Sequence, residues 1–189
     1  MIEKLKEKYR FPEIRPDEEP DKKGWFRVEN SAMLRMMLNK DVKVIMEIGS
    51  LFGLSTRNIL DFAPEATIIA IDTWKGSKEF ENHSYLVERK DRYYDIFISS
   101  CWDYKDRIIP IKSDSISGMK IAKENGVVPE LIYMDASHEY SDVINDIKTA
   151  KELFPKAILC GDDCDKPEVN KAVNENGTAY RMDGFWWYS

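Results

Sequence analysis

Hydrophobic positions along the chain switch repeatedly between two periods. Met33, Leu34, Met37 and Leu38 recur at helical spacing over 31–40, and the run from Lys43 to Gly49 that follows is a short apolar block closed by glycine, the pattern of a strand buried on both faces. The alternation then predicts a helix over 55–62, a strand over 67–71, a strand over 108–112, a helix over 115–125, a strand over 130–134, a helix over 140–154 and a strand over 157–160. Tyr140, Val143, Ile144, Ile147, Ala150, Leu153 and Phe154 form one apolar stripe on the 140–154 helix, so that helix packs on a sheet. Five strands alternating with helices predict an α/β fold, a doubly wound parallel sheet covered on both faces. A short helix over 168–175 follows Pro167. Asp183-Gly184 then separates the β-prone runs 178–182 and 185–188, the signature of an antiparallel hairpin at the C-terminal edge of a mostly parallel sheet.

Two segments fall outside this alternation. Residues 1–24 carry Pro12, Pro16 and Pro20 among charges, which ends any helix after Tyr9 and predicts an arm that lies over the domain or is partly disordered, with no catalytic part. Residues 25–189 then form a single domain. Within it, 76–106 holds Phe80, Tyr85, Tyr93, Tyr94, Phe97, Trp102 and Tyr104, readable as core or as an aromatic lid.

Composition narrows the function classes. With 28 basic and 34 acidic side chains, a net charge of −6 and 43% hydrophobic residues, the chain reads as globular, and its acidity argues against binding a nucleic-acid backbone. No apolar run reaches the roughly 20 residues of a membrane span, and the first ten residues are charged throughout, so the expected location is cytoplasmic, away from membranes. Cys101, Cys160 and Cys164 are too few and too uneven for a disulfide framework, and the lone C-x3-C is a weak zinc signal.

In a doubly wound sheet, ligands bind beyond the carboxyl ends of the strands, near the point where strand order reverses. Those ends carry Glu47 with Gly49 to Gly53, Asp72 with Thr73 and Trp74, Ser113 with Asp114, Asp135 to His138, and Gly161 to Asp163. Gly49 and Gly53 allow a tight turn and close approach of a ligand, and Ser55 is placed to cap the next helix. The turn is not G-x-G-x-x-G, since Leu51 takes the central position, and it also reads as an ordinary strand-to-helix connection. Asp72, about 20 residues beyond the glycines, suits a ribose diol. Trp74 either covers a base or fills the core. Asp135, Asp162 and Asp163 at adjacent strand ends repel one another unless protonated or bridged by a cation, and oxygen-only ligands suit Mg²⁺, Mn²⁺ or Ca²⁺. The same acids could instead serve helix N-termini.

The run Glu47-Ile48-Gly49-Ser50-Leu51-Phe52-Gly53-Leu54-Ser55 resembles motif I of class I S-adenosylmethionine-dependent methyltransferases. With Ile71 to Gly76, Ser113-Asp114-Ser115, Ile132 to Tyr140 and Gly161-Asp162-Asp163 following in order, the chain is similar over about 30–175 to the macrocin- and mycinamicin-type sugar O-methyltransferases. The resemblance implies a Rossmann-like domain and a set of roles. Glu47, Gly49, Ser50, Gly53 and Ser55 would shape the methionine end of an S-adenosylmethionine site. Asp72, Thr73 and Trp74 would meet the ribose and its surroundings, with Ser113 and Asp114 beside adenine and Asp135 at the reacting end. It further implies that Asp135, Asp162 and Asp163 hold Mg²⁺ or Mn²⁺, and that His138, three residues beyond Asp135, takes the proton of the acceptor hydroxyl. A capping contact or a fourth metal ligand are the other readings of His138. Lys75 is a poorer base because an exposed lysine stays protonated, and His83 reads as solvated. The C-terminal portion is shorter than in longer relatives, leaving the acceptor site open or completed by a second copy in a homo-oligomer.

The expected function is therefore O-methylation of a sugar or glycosylated small molecule, with a catechol or phenol as the alternative acceptor. A nicotinamide-dependent oxidoreductase would want G-x-G-x-x-G and a second domain. An inactive cofactor-binding module would have no use for Asp135, His138, Asp162 and Asp163 together.

Overall fold

The computed structural model describes residues 2–22, 24–39 and 41–188. Five strands rich in isoleucine, β1 (Val44–Ile48), β2 (Thr67–Asp72), β3 (Ile108–Lys112), β4 (Leu131–Met134) and β5 (Ile158–Gly161), pair in parallel. The hairpin strands β6 (Tyr180–Met182) and β7 (Phe185–Trp187) close the far edge in antiparallel sense. The order β3-β2-β1-β4-β5-β7-β6 puts the reversal between β1 and β4 and slots β7 between β5 and β6. Pro110, which cannot donate to a ladder, lies on β3, the outermost strand on its side, where a missing N–H costs nothing.

Alternate strand positions feed two cores, because successive side chains leave a strand on opposite faces. Met46, Ile48, Ile69, Ile71, Ile132 and Met134 point to one face. There they meet α6 (Ser115–Glu124), α7 (Tyr140–Leu153) and α8 (Pro167–Glu175). Ile45, Ile68, Ala70, Leu131 and Tyr133 point to the other, under α2 (Val28–Met37), α3 (Leu54–Phe62) and α5 (Tyr93–Ser100).

The N-terminal segment touches both faces. Leu5, on α1 (Ile2–Lys8), is fully buried beside Ile109 and Met119, and Phe11 belongs to the opposite core, so the chain rounds the β3 edge between them. It then lies along α5: Ser99 Oγ donates to the Glu18 carbonyl at 2.7 Å, the Asp21 amide donates to Ser100 Oγ at 2.8 Å, and Arg57 clamps both the Asp21 and Ser100 carbonyls at 2.9 Å. The 76–106 segment is broken into short pieces, two 3-10 turns (Lys78–Asn82 and Trp102–Arg107), α4 (Ser84–Val87) and α5. Tyr93 and Phe97 enter the core, while Phe80 is partly buried against it. No helix of the described residues is long and apolar enough to cross a membrane.

Candidate functional site

The loop after β1 turns at Gly49 (φ 89°) and Gly53 (φ 77°), in the left-handed region that a side chain disfavours. Both glycines are demanded by the protein itself. A Cβ at Gly49 would lie 2.1 Å from the Asp135 carbonyl oxygen, and one at Gly53 would lie 2.2 Å from Cys101 Sγ. Gly53, rather than Ser55, is the N-cap of α3. Ser55 instead donates its hydroxyl to Glu47, whose buried carboxylate also accepts from Ser50 (2.6 Å) and Thr56. Glu47 thus ties the turn to the first coil of α3 from beneath. Burial pushes its pKa up against these three hydroxyl donors.

Asp72 holds the same turn from the β2 side. Oδ2 accepts the amides of Ser50 (3.0 Å) and Leu51 (2.8 Å), and Oδ1 accepts that of Trp74 at 2.7 Å. Burial raises its pKa and the backbone donors oppose the rise. Trp74 does not present a free face to cover a base: its side chain is 4% exposed, packs on Tyr94 and Phe97, and donates its indole N–H to the Leu51 carbonyl at 2.8 Å. Thr73 lines the cleft beside it.

A cleft of about 960 Å³ opens over these strand ends. That volume is at the upper end for small-molecule sites. Ser113 to Ile116 wall one end, where Asp114 caps α6 by accepting the Ser117 amide at 2.9 Å and is held below its usual pKa by that bond. Asp146 of α7 lies at the same end, hydrogen-bonded by Ser115 Oγ. Asp135, His138, Asp162 and Asp163 line the other end, together with Trp25 and Arg27 from the N-terminal side. Sequence patterns did not mark Asp146, Trp25 or Arg27. A signal existed for Asp146, a charged residue within the buried register of Val143, Ile147 and Ala150. None existed for Arg27, whose position depends on the path of the preceding chain.

The acids divide differently from the sequence expectation. Asp135, His138 and Asp163 bring one ligand atom each within 4.8 Å of one another, whereas Asp162 is turned aside. It accepts the Asp163 amide at 2.6 Å and lies 3.5 Å from Arg27 Nε. His138 replaces Asp162 in the cluster, so the donors are two carboxylates and an imidazole, a set that suits Mn²⁺ or another transition ion as well as Mg²⁺. Asp135 titrates near 7, raised by desolvation and then by the charges of Asp162 and Asp163. Tyr133 donates to it at 3.2 Å and accepts from Asn30 Nδ2 at 3.3 Å. Among the described residues, Asn30 Oδ1 is the buried side-chain atom left without a partner. Carboxylates crowded at adjacent strand ends, with an imidazole beside them, are a donor set that fits a bound cation. His138 meets Asp163 through Nε2 (2.7 Å), and its Nδ1 is met by both Glu79 and Lys166 Nζ, each at 2.7 Å. Burial disfavours its charged form, but the Asp163 and Glu79 carboxylates outweigh that and hold its pKa above the ordinary value. Cys160 and Cys164 play no part here. Cys160 donates to the Ile132 carbonyl, and Cys164 receives Asn170 and Arg181.

A family profile described as "Methyltransferase domain" matches residues 46–164, more than half of the chain. The chain belongs to this methyltransferase family. No curated protein matches it in sequence, and its likeness to solved structures is one of fold. Cofactor-bound Rv0187 from MTB is 14% identical with a TM-score of 0.65, covering 97% of this chain and 85% of that one. The O-methyltransferase TomG from Streptomyces achromogenes, of tomaymycin synthesis and solved in complex with SAM, is 13% identical with a TM-score of 0.64, covering 86% and 80%. CalS11, a TDP-rhamnose 3'-O-methyltransferase of calicheamicin biosynthesis, is 19% identical with a TM-score of 0.54, covering 85% and 80%. This methyltransferase thus carries its glycine turn, Asp72 and acid cluster on the fold of S-adenosylmethionine-dependent O-methyltransferases.

Proposed function

We propose that this methyltransferase transfers the methyl group of S-adenosylmethionine to a hydroxyl of a sugar or glycosylated small molecule with help from a divalent cation, as the macrocin- and mycinamicin-type enzymes it resembles do. The observation that carries the reading is the opening of the Asp135–His138–Asp163 cluster into the same cleft as the β1 turn and Asp72. In this reading Asp72 Oδ1 meets a ribose hydroxyl, the Ser113–Ile116 wall meets adenine, and the turn fixes the sulfonium end. Positioning supplies much of the rate, because in-line transfer needs sulfur, methyl and oxygen aligned. A cation held by Asp135 and Asp163 would orient the acceptor hydroxyl and lower its pKa. His138 then accepts the proton. Its Nε2 faces Asp163, and its Nδ1 is met both by Glu79, which is 54% exposed on a short 3-10 turn, and by Lys166 Nζ, so an acceptor hydroxyl reaches Nδ1 only by displacing these partners. Losing Glu79 removes one of the carboxylates that favour the charged form of the imidazole. CalS11 favours a sugar acceptor by analogy of fold, while Trp25 and Phe80, 5.6 Å apart at the cleft, would serve a phenol as well as the apolar face of a sugar.

The test is a screen of glycosylated and phenolic acceptors with labelled methyl donor, with Mg²⁺, with Mn²⁺ and in EDTA. Asp135→Ala and Asp163→Ala are expected to abolish metal-stimulated turnover while leaving much of the cofactor affinity. His138→Ala, which removes one of the three donors, is expected to weaken metal binding and, at saturating metal, still to lose about 10² to 10⁴ in rate, the usual weight of a positioned base. Full turnover in EDTA would exclude the cation, and a wild-type rate in His138→Ala would exclude the base.

A further inference from the structure

Arg27 places a cation against the carboxylates that the cluster draws on. Its guanidinium reaches Asp163 Oδ1 (Nη2, 3.0 Å), Asp165 Oδ2 (Nη1, 3.1 Å) and Asp162 Oδ2 (Nε, 3.5 Å). The side chain is 36% exposed, so this is a contact within reach of solvent rather than a sealed core pair. The β6–β7 turn lies against it, Gly184 (φ 90°) facing Nη1. Asp163 is therefore divided: Oδ1 faces Arg27 and Lys166, and Oδ2 faces His138.

The residues just before Arg27 are part of the cleft. Gly24, Trp25 and Phe26 line it with Arg27 itself, and Trp25 packs edge-on against Phe80 at 5.6 Å and His83 at 4.8 Å. Ring contacts hold this segment on one side, and the Arg27 ion pairs hold it on the other. A doubly charged ion at Asp135 and Asp163 would sit beside the guanidinium on a shared carboxylate, so each cation repels the other and weakens the other's hold.

We propose that Arg27 and a divalent cation compete for the Asp163 carboxylate, so that filling the cluster loosens residues 24–27 from the acceptor side of the cleft. The proposal rests on the cation-assisted reading above and adds to it a coupling between metal and cleft wall. Coupling of this kind is reciprocal: whatever the ion does to the Arg27 contact, the Arg27 contact does to the ion's affinity.

The experiment uses the full chain and Mn²⁺ alone, without acceptor. Calorimetry and the paramagnetic signal of free Mn²⁺ give affinities for the wild type, Arg27→Gln and Arg27→Lys. Arg27→Gln is expected to bind Mn²⁺ about tenfold more tightly, the scale of one unit charge acting on a divalent ion a few ångströms away through a well-screened site. Arg27→Lys, which keeps the charge, is expected to stay near the wild type. A second readout needs no variant: in the wild type, saturating Mn²⁺ is expected to speed trypsin cleavage after Arg27 severalfold relative to cleavage after the exposed Arg10. Equal or weaker Mn²⁺ binding in Arg27→Gln would overturn the proposal, as would an unchanged cleavage ratio at Mn²⁺ saturation. Failure of both proteins to bind Mn²⁺ would overturn it together with the cation-assisted reading, whereas equal binding in both overturns the competition alone.

Discussion

Asp146 carries a carboxylate into the Ser113–Ile116 end of the cleft at 6% exposure, with Ser115 Oγ as its hydrogen-bond donor. Loss of solvation raises its pKa to about 6, opposed by the Ser115 bond and assisted by the charges of Asp142 and Asp114. The folded pKa is above the unfolded value of about 3.9, so the native state binds this proton more tightly. Its contribution to stability is then complete at low pH and is lost as pH rises from about 4 through 6. Asp146→Asn is expected to be more stable than the wild type by about 1 to 3 kcal/mol at pH 8 and equal to it near pH 4, read by urea unfolding at both values. A gain independent of pH would mean that the ionised carboxylate is not the cost. At this scale the sequence was legible where a residue's place followed from a strand end, which is why Asp72, Asp135, His138 and Asp163 surround one cleft. It was illegible where a side chain's direction decided the matter. Asp162 turns toward Arg27 and its own neighbour's amide, Trp74 turns into the core to hold Leu51, and Ser55 turns down to Glu47.

At the scale of elements, α6 packs so closely on β2 that a Cβ at Gly118 would lie 2.4 Å from Ile71 Cγ2. Alanine in a helix interior gains about 1 kcal/mol over glycine, while an extra methyl forced into a packed core costs about 1 to 3 kcal/mol. The branch methyl of Ile71 is held by the rigid strand and cannot swing away, so the second effect wins. Gly118→Ala is expected to be destabilising in denaturant melts, and Ile71→Val is not expected to relieve it, since Val keeps Cγ2; Ile71→Ala added to Gly118→Ala is expected to cost less than the sum of the two single changes. The strands and main helices were legible from periodicity because each has one buried stripe or two buried faces. The 76–106 segment was not. Its aromatic residues enter the core from 3-10 turns and single helical coils, which leave no sustained period to read.

At the scale of the whole molecule, the first helix is tied to the domain it precedes. Leu5 is fully buried against the β3 side of the sheet, and Leu5→Ala is expected to cost about 2 to 5 kcal/mol, the range for a leucine removed from a packed core. For a chain of this size that lowers the melting temperature by about 2 to 4 °C per kcal/mol; a change under about 0.5 kcal/mol, the surface value, would show the arm to be independent. The sheet order carries a further consequence, for the moment of synthesis. β5 has β4 on one side, but its other side is paired by β7, which follows only at residues 185–187. A chain still emerging from the ribosome past β5 carries a parallel sheet with a bare apolar border, open to pairing with a neighbouring nascent chain. Release from that exposure waits on the Phe185-Trp186-Trp187 run, so crowding on one messenger should tell on yield well before it tells on the stability of the finished protein.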